Sequence, residues 1–203
     1  MSESTGADFF DGLFAASDDP WQFRSRWYEQ RKRALTLASL TAPRYRSAYE
    51  PGCANGELSA ALAERCDALL VSDGATKAVE IARRRLQALP HVSVVKAWLP
   101  GEWPASHSFD LVVLSELGYY LDADSLVELA NSARRSLRQG GSVLACHWRR
   151  PIAGCALDGD QVHELLGSTL GMPLLGHTLD ADLRIDLWCD DPSSVASREG
   201  LVG

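Results

Sequence analysis

Glu50-Pro51-Gly52-Cys53-Ala54-Asn55-Gly56 is the stretch whose reading decides the fold. Ala48 to Glu50 reads as a short strand leading into it, and Leu58, Ala61, Leu62 and Cys66 recur at helical spacing after it. Gly52 can take the backbone conformation a tight strand-to-helix turn needs, and its missing side chain lets a ligand approach the main chain. Gly56 permits close packing as the helix starts. The pattern departs from the dinucleotide GxGxxG, because position 54 is Ala and the third glycine is absent. That loss argues against a pyrophosphate at the helix N-terminus.

Outward from this turn, apolar runs alternate with helical periodicity. Ala68 to Ser72 ends at Asp73, and Ala78, Val79, Ala82 and Leu86 mark a helix ended by Pro90. Val92 to Val95 reads as a third strand. Phe109 to Ser115 is near-continuously apolar, as a strand buried on both faces of a parallel sheet is. Leu126, Leu129, Ala130, Ala133 and Leu137 form a helical stripe stopped by Gly140-Gly141, and Ser142 to Cys146 is a fifth strand. A helix over Val162 to Leu170 precedes strands at Pro173 to Thr178 and Leu183 to Trp188. Asp180-Ala181-Asp182 between them is too short for a crossover helix, so this pair is antiparallel. Toward the N-terminus, Asp19 and Pro20 read as N-cap and first turn of a helix through Trp21, Phe23, Trp27 and Tyr28 to Leu40, closed by Pro43. The expected architecture is α/β: a Rossmann-like, doubly wound sheet with a terminal hairpin and an added N-terminal helix. Residues 1–18 are expected to be a flexible arm or lid, 19–190 the single domain and 191–203 a tail.

The 203 residues suit one domain with a full-sized core. With 27 acidic residues against 20 Lys and Arg, the formal net charge of -7 is not the footprint of a nucleic-acid-binding surface. A small-molecule partner is expected instead. No stretch approaches the roughly 20 apolar residues that span a bilayer, and acidic Met1 to Asp11 lacks the basic n-region of a signal peptide. Cys53, Cys66, Cys146, Cys155 and Cys189 are scattered and form no CxxC pair. The expectation is reduced thiols in a cytoplasmic protein, with no disulfide framework and no metal site. The chain is expected to be a monomer or homodimer.

The candidate site residues cluster at strand ends, where a doubly wound sheet binds its ligand. About 21 residues after Gly52, Asp73 offers a carboxylate able to accept from both hydroxyls of a ribose. Glu50 suits a zwitterionic ligand better than a pyrophosphate, whose charge it would repel. A loop glycine with two incidental acids is the plain alternative, and the strand-loop-helix context weighs against it. Glu116-Leu117-Gly118-Tyr119-Tyr120 follows a buried strand and is placed to form a pocket floor. Tyr119 is expected to face the ligands and Tyr120, beside Leu121, to sit in the core. His147 ends the fifth strand, where an imidazole could serve as general base near neutral pH or play a structural part.

EPGCANGEL (50–58), LLVSDGATKAVEIARRRL (69–86) and FDLVVLSELGYYL (109–121) resemble class I S-adenosylmethionine-dependent methyltransferases, and more closely the nodulation protein S family. The resemblance runs from Asp19-Pro20-Trp21 to about His163. It implies a seven-stranded sheet with an antiparallel last strand, in agreement with the terminal hairpin, and S-adenosylmethionine as cofactor. By position, Gly52 and Ala54 would lie under the methionine part and Asp73 would hold the ribose. Ala97-Trp98-Leu99 would flank the adenine, and Glu116 would lie near the methionine end. Glu50, Gly56, Gly74 and Ser115 complete the expected cofactor-binding set. Most members have an acidic residue near Ala97, where this chain has Lys96.

Related chains also carry a YExxK pattern, here Tyr28-Glu29-Gln30-Arg31-Lys32. Tyr28 and Lys32 share a helix face, so the cation would meet the cofactor carboxylate, the ring would cover the site and Trp21 would line the same mouth. Equally, these aromatics are packing residues and the basic run a solvated face. An HWR segment recurs as His147-Trp148-Arg149, and a Gly-Asp-x-Val-His element as Gly159 to His163. The Asp and Tyr that relatives carry between the two are missing at Gly154-Cys155-Ala156-Leu157. For Asp160 an N-cap is the preferred reading.

Together these readings predict methyl transfer to an amine or hydroxyl, with His147, Glu116 and Tyr119 as candidate catalytic residues. Nodulation protein S methylates the free amine of a deacetylated chitooligosaccharide end, so the resemblance implies an amino sugar, oligosaccharide or other small acceptor. The rivals are a non-catalytic S-adenosylmethionine-binding module and a nicotinamide-dependent oxidoreductase, the latter disfavoured by the incomplete glycine fingerprint.

Overall fold

The strands are β1 (Ala48–Pro51), β2 (Leu69–Asp73), β3 (Val92–Lys96), β4 (Phe109–Ser115), β5 (Leu137–Trp148), β6 (Leu174–Leu179) and β7 (Leu183–Cys189). In the computed structural model, which describes residues 6–104 and 108–202, they form one seven-stranded sheet of order β3-β2-β1-β4-β5-β7-β6. β3 through β5 pair in parallel, whereas β7 is antiparallel to both β5 and β6, as the short Asp180–Asp182 connection requires. The strand order reverses between β1 and β4, which opens a crevice at their C-terminal ends.

The apolar run of β4 is explained by the layers on either side of it. Leu111 and Val113 pack with Leu62 of α3 (Glu57–Ala63) and with Ala82 and Leu86 of α4 (Thr76–Leu86). Val112 and Leu114 pack with Leu126 and Leu129 of α5 (Ala123–Ser136) and with Val162 and Leu166 of α6 (Gly159–Leu170). A strand between two helical layers has no solvated face, so every position reads as core. Among the described residues no helix is long and apolar enough to cross a membrane.

The N-terminal region departs from expectation. No helix runs from Pro20 to Leu40, because Gln22 adopts a left-handed φ of 59° and helix α2 starts only at Trp27, spanning Trp27–Ala38. The Asp19 carboxylate caps the preceding turn instead, accepting from the Phe23 amide at 2.8 Å and the Arg24 amide at 3.1 Å. The expected loose arm carries helix α1 (Ala7–Ala16), whose Phe14 is buried against Ala75, Ala78 and Ile81. Residues 1–5 of that arm lie outside the described residues. The expected tail holds a short helix, Val195–Arg198, and its Gly203 is likewise outside them. β5 starts at Leu137 and runs through Gly140-Gly141, which were expected to precede the strand. The N-cap of α6 is Asp158, in a reciprocal capping box with Gln161. Asp160 lies past the cap and pairs with Arg149 at 2.8 Å.

Candidate active site

The C-terminal ends of β1, β2 and β4 and the helices α1 and α2 surround a cavity of about 300 Å³. Each strand delivers a carboxylate to it. At the end of β1, Glu50 is 2% exposed and its Oε2 is buried without a hydrogen-bond partner. Burial pushes this carboxyl up to about 8, a rise the nearby Ser59 hydroxyl opposes without forming a well-aligned hydrogen bond to Oε2. A buried carboxyl oxygen with no donor is costly unless a ligand supplies one.

At the end of β2, Asp73 joins two loops. Its Oδ2 accepts from the Ala54 amide and its Oδ1 from the Ala75 amide, each at 2.9 Å. Each oxygen retains acceptor capacity toward the cavity. Burial raises the Asp73 pKa, and these amide donors oppose the rise. The loop after β1 comes close because Gly52 and Ala54 both take left-handed backbone, at φ 71° and 50°. Next to Asp73, Gly74 lies directly against the ring of Trp98, and Ala97 and Leu99 add to the same wall.

At the end of β4, Ser115 and Glu116 reach the cavity. Glu116 has a φ of 55°, a conformation that costs a non-glycine residue about 1–3 kcal/mol. Its Oε1 accepts from Lys32 Nζ at 2.9 Å, and its Oε2 accepts from the Tyr119 hydroxyl. Lys32 Nζ also lies 2.8 Å from Glu29 Oε2. Burial works against the ammonium, but Glu116 and Glu29 outweigh it and hold the Lys32 pKa above its ordinary value. Burial also raises the Tyr119 phenol well above its usual range, so it stays a donor.

Trp21, between Phe14 and Phe23, lines the cavity. Several of the expected positions fall otherwise. Tyr28 turns from the cavity to stand edge-on to Trp148, with ring centroids 5.2 Å apart. Gly56 faces α4, where a Cβ would lie 3.4 Å from the Ala82 Cα, so it serves packing and not the ligand. His147 is fully buried with both ring nitrogens engaged, Nε2 accepting from the Gly118 amide at 3.1 Å and Nδ1 lying 3.0 Å from His163 Nε2. Burial lowers its pKa well below the usual histidine value, and no lone pair is left for a substrate proton. Lys32 reaches the cavity but is compensated by two carboxylates, so it is not a free partner for a ligand carboxylate. Of the tyrosine pair, Tyr119 is the more buried and Tyr120 the more open, the reverse of the expected order, and both line the cavity.

Some cavity residues were not anticipated. Arg33 lines the wall, donates to the Phe23 carbonyl at 2.7 Å and makes no ion pair among the described residues. Phe10 and Phe14 of α1 close the cavity beside Tyr120 and Trp21. Their i, i+4 spacing in Ala7-Asp8-Phe9-Phe10-Asp11-Gly12-Leu13-Phe14 was the available signal.

The sheet order, the antiparallel last strands and a cavity at the ends of β1, β2 and β4 define the class I methyltransferase fold. A family model for nodulation protein S matches residues 12–144. The chain belongs to the nodulation protein S family. Nodulation protein S from Rhizobium tropici is 32% identical over 131 residues, which is 64% of this chain and 55% of that protein. The alignable chain thus spans about half the length of the curated relatives it matches. A candidate methyltransferase of known structure from Pseudomonas syringae is 52% identical with a TM-score of 0.73, covering 81% of this chain and 99% of that one. The N-methyltransferase NodS of Bradyrhizobium japonicum, solved with S-adenosyl-L-homocysteine, shares the fold with a TM-score of 0.78 at 23% identity, over 90% of this chain and 97% of its own.

Proposed function

We propose that this chain is an S-adenosylmethionine-dependent methyltransferase acting on an amine or hydroxyl of a small acceptor. The observation that carries this reading is the pair of carboxylates at adjacent strand ends. Glu50 has a buried, partnerless oxygen, and Asp73 has acceptor capacity beyond the two amides it braces. A zwitterionic nucleoside would satisfy both, its ammonium at Glu50 and its ribose at Asp73, while a pyrophosphate would offer neither carboxyl a donor.

Trp98, Ala97 and Leu99, which line the cavity beside Gly74, would receive the adenine. Arg33, which makes no ion pair among the described residues, is the cation placed for the amino-acid carboxylate, a role the Glu29-Lys32-Glu116 cluster takes away from Lys32. When bound, the cofactor supplies a methyl group on a positively charged sulfur, already activated for in-line displacement. Glu116 and Tyr119 orient the acceptor. The Tyr119 O–H donates to Glu116, so the phenol oxygen is available to accept an N–H or O–H of the acceptor and orient it. The acceptor proton would pass to the Tyr119 oxygen as the Tyr119 proton moves to Glu116 Oε2. Holding the two reactants aligned is a contribution of about 7–11 kcal/mol in well-oriented systems. An amino sugar or the amine of an oligosaccharide end is the first acceptor to screen.

The test is calorimetric titration with S-adenosyl-L-homocysteine on the wild type and on Asp73→Ala, with NAD as the control ligand. We expect a dissociation constant on the order of micromolar for the wild type and none measurable for the variant. A wild type that ignores S-adenosyl-L-homocysteine would overturn the reading, and binding of NAD in its place would point to hydride chemistry.

A further inference from the structure

His147, His163 and Asp186 form a buried row of hydrogen bonds behind the cavity, and its polarity is fixed at one end. The Gly118 amide lies 3.1 Å from His147 Nε2, and a backbone N–H only donates. Nε2 therefore carries a lone pair, and the His147 proton sits on Nδ1. That nitrogen is 3.0 Å from His163 Nε2, which must accept. The His163 proton is then on its own Nδ1, 2.7 Å from Asp186 Oδ2. Asp186 ends the row as a carboxylate that also receives His177 on Oδ1 and Arg184 Nε on Oδ2. The exposures of His147, His163 and Asp186 are 0%, 1% and 0%. Adding a proton to either imidazole would set two donors against each other.

The other end of the row is the loop after β4. Gly118 opens a 3-10 turn, Gly118–Tyr120, between Glu116 at φ 55° and Tyr119, whose hydroxyl donates to Glu116. A Cβ on Gly118 would stand 2.4 Å from Val162 Cγ1 and 3.2 Å from His147 Nε2, so the turn is seated on α6 and on the imidazole. A left-handed non-glycine residue such as Glu116 persists only where its surroundings over-determine it.

We propose that His147 is a positioning residue. The one-way row from the Gly118 amide through His147 and His163 to Asp186 pins the turn that presents Glu116 and Tyr119 to the cavity. Both imidazoles are neutral and protonated on Nδ1. What Glu116 and Tyr119 do rests on the methyltransferase reading, but the row itself does not.

The test is nitrogen-15 spectroscopy of the histidine side chains in the full chain near neutral pH. We expect the Nδ1–H form at both His147 and His163. An Nε2–H form or an imidazolium at either would overturn the proposal. Two variants then probe the hold on the turn. His147→Gln retains an acceptor near the Nε2 position, whereas His147→Leu removes it. The Gly118 amide should exchange at about the wild-type rate in the Gln variant and roughly tenfold faster or more in the Leu variant. Equal exchange in the two would also overturn the proposal. Should the Leu variant not fold, the wild-type spectra still decide. A wild type that fails to bind S-adenosyl-L-homocysteine would sink the methyltransferase reading while leaving these spectra unchanged.

Discussion

The six-membered ring of Trp98 occupies the space a side chain on Gly74 would need. A Cβ there would stand 2.0 Å from Cε3 and 2.5 Å from Cζ3. Trp98 is 38% exposed, so it can swing outward without breaking the core. Gly74→Ala is therefore expected to fold normally while losing the wall proposed for the adenine. Affinity for S-adenosyl-L-homocysteine should fall about tenfold, or 1.4 kcal/mol, with the unfolding midpoint nearly unchanged. Calorimetry together with Trp fluorescence checks this, and wild-type affinity in the variant would remove Trp98 from the site.

Lys32 holds two carboxylates together in a nearly buried place. Its side chain is 7% exposed, with Glu29 at 11% and Glu116 at 19%. Lys32→Met leaves both acids facing each other without a cation, and breaking a buried pair in this way costs about 3–5 kcal/mol. Glu29→Gln should cost less, because Lys32 keeps Glu116. Urea unfolding of the two variants decides the order. The reverse order would mean that Glu29, not Lys32, anchors the cluster.

The Lys32 cluster also shows what the sequence could and could not convey. The buried central strand, the antiparallel ending and the carboxylates Glu50 and Asp73 follow from local signals: an apolar run, a connection too short for a crossover, an acid at the end of a strand. The sequence places Lys32 on a helix, and in the structure it lines the cavity. Its partner Glu116 lies 84 residues away, and nothing local reveals that the lysine is already compensated. The same holds for His147. Its position at a strand end matched a general base, while its burial depends on His163 and Asp186, which arrive from α6 and β7. The helix start failed for a different reason. Asp19-Pro20 is a sound N-terminal signal, but a left-handed Gln22 leaves no trace in composition.

Glu50 makes cofactor binding a proton-releasing event. Burial holds its carboxyl near 8 in the free protein, so it is mostly protonated at neutral pH. A ligand ammonium against Oε2 favours the ionised form, and the proton must leave. Titration with S-adenosyl-L-homocysteine in buffers of different ionisation enthalpy should show close to one proton released per site, about the fraction protonated for a group one pH unit below its pKa. Glu50→Gln should abolish the release and weaken binding. A heat of binding independent of buffer in the wild type would place the ammonium elsewhere.

The buried histidine row sets a pH dependence whose sign can be worked out. Burial lowers the pKa of both His147 and His163 below the ordinary value near 6.5, with Asp186, Arg184, Asp160 and Lys32 as the charged groups around them. Below about pH 6.5 the unfolded chain therefore binds protons that the folded chain refuses. Stability from these groups is present above that pH and is lost as the pH falls toward the folded values, by up to about 1.4 kcal/mol per pH unit for each histidine. Glu50 acts in the opposite sense. Its raised pKa lets the folded state bind a proton that the unfolded state gives up between about pH 4.5 and 8, so its contribution grows on acidification. The wild-type curve sums both effects, and difference curves separate them. The stability advantage of wild type over His147→Gln should shrink from pH 7 to pH 5 in urea unfolding, as the wild type gives up the His147 term that the variant lacks. Wild type relative to Glu50→Gln should show the contrary slope. A flat difference for His147→Gln would mean that this histidine titrates alike in both states, which a row of neutral, fully engaged imidazoles does not permit.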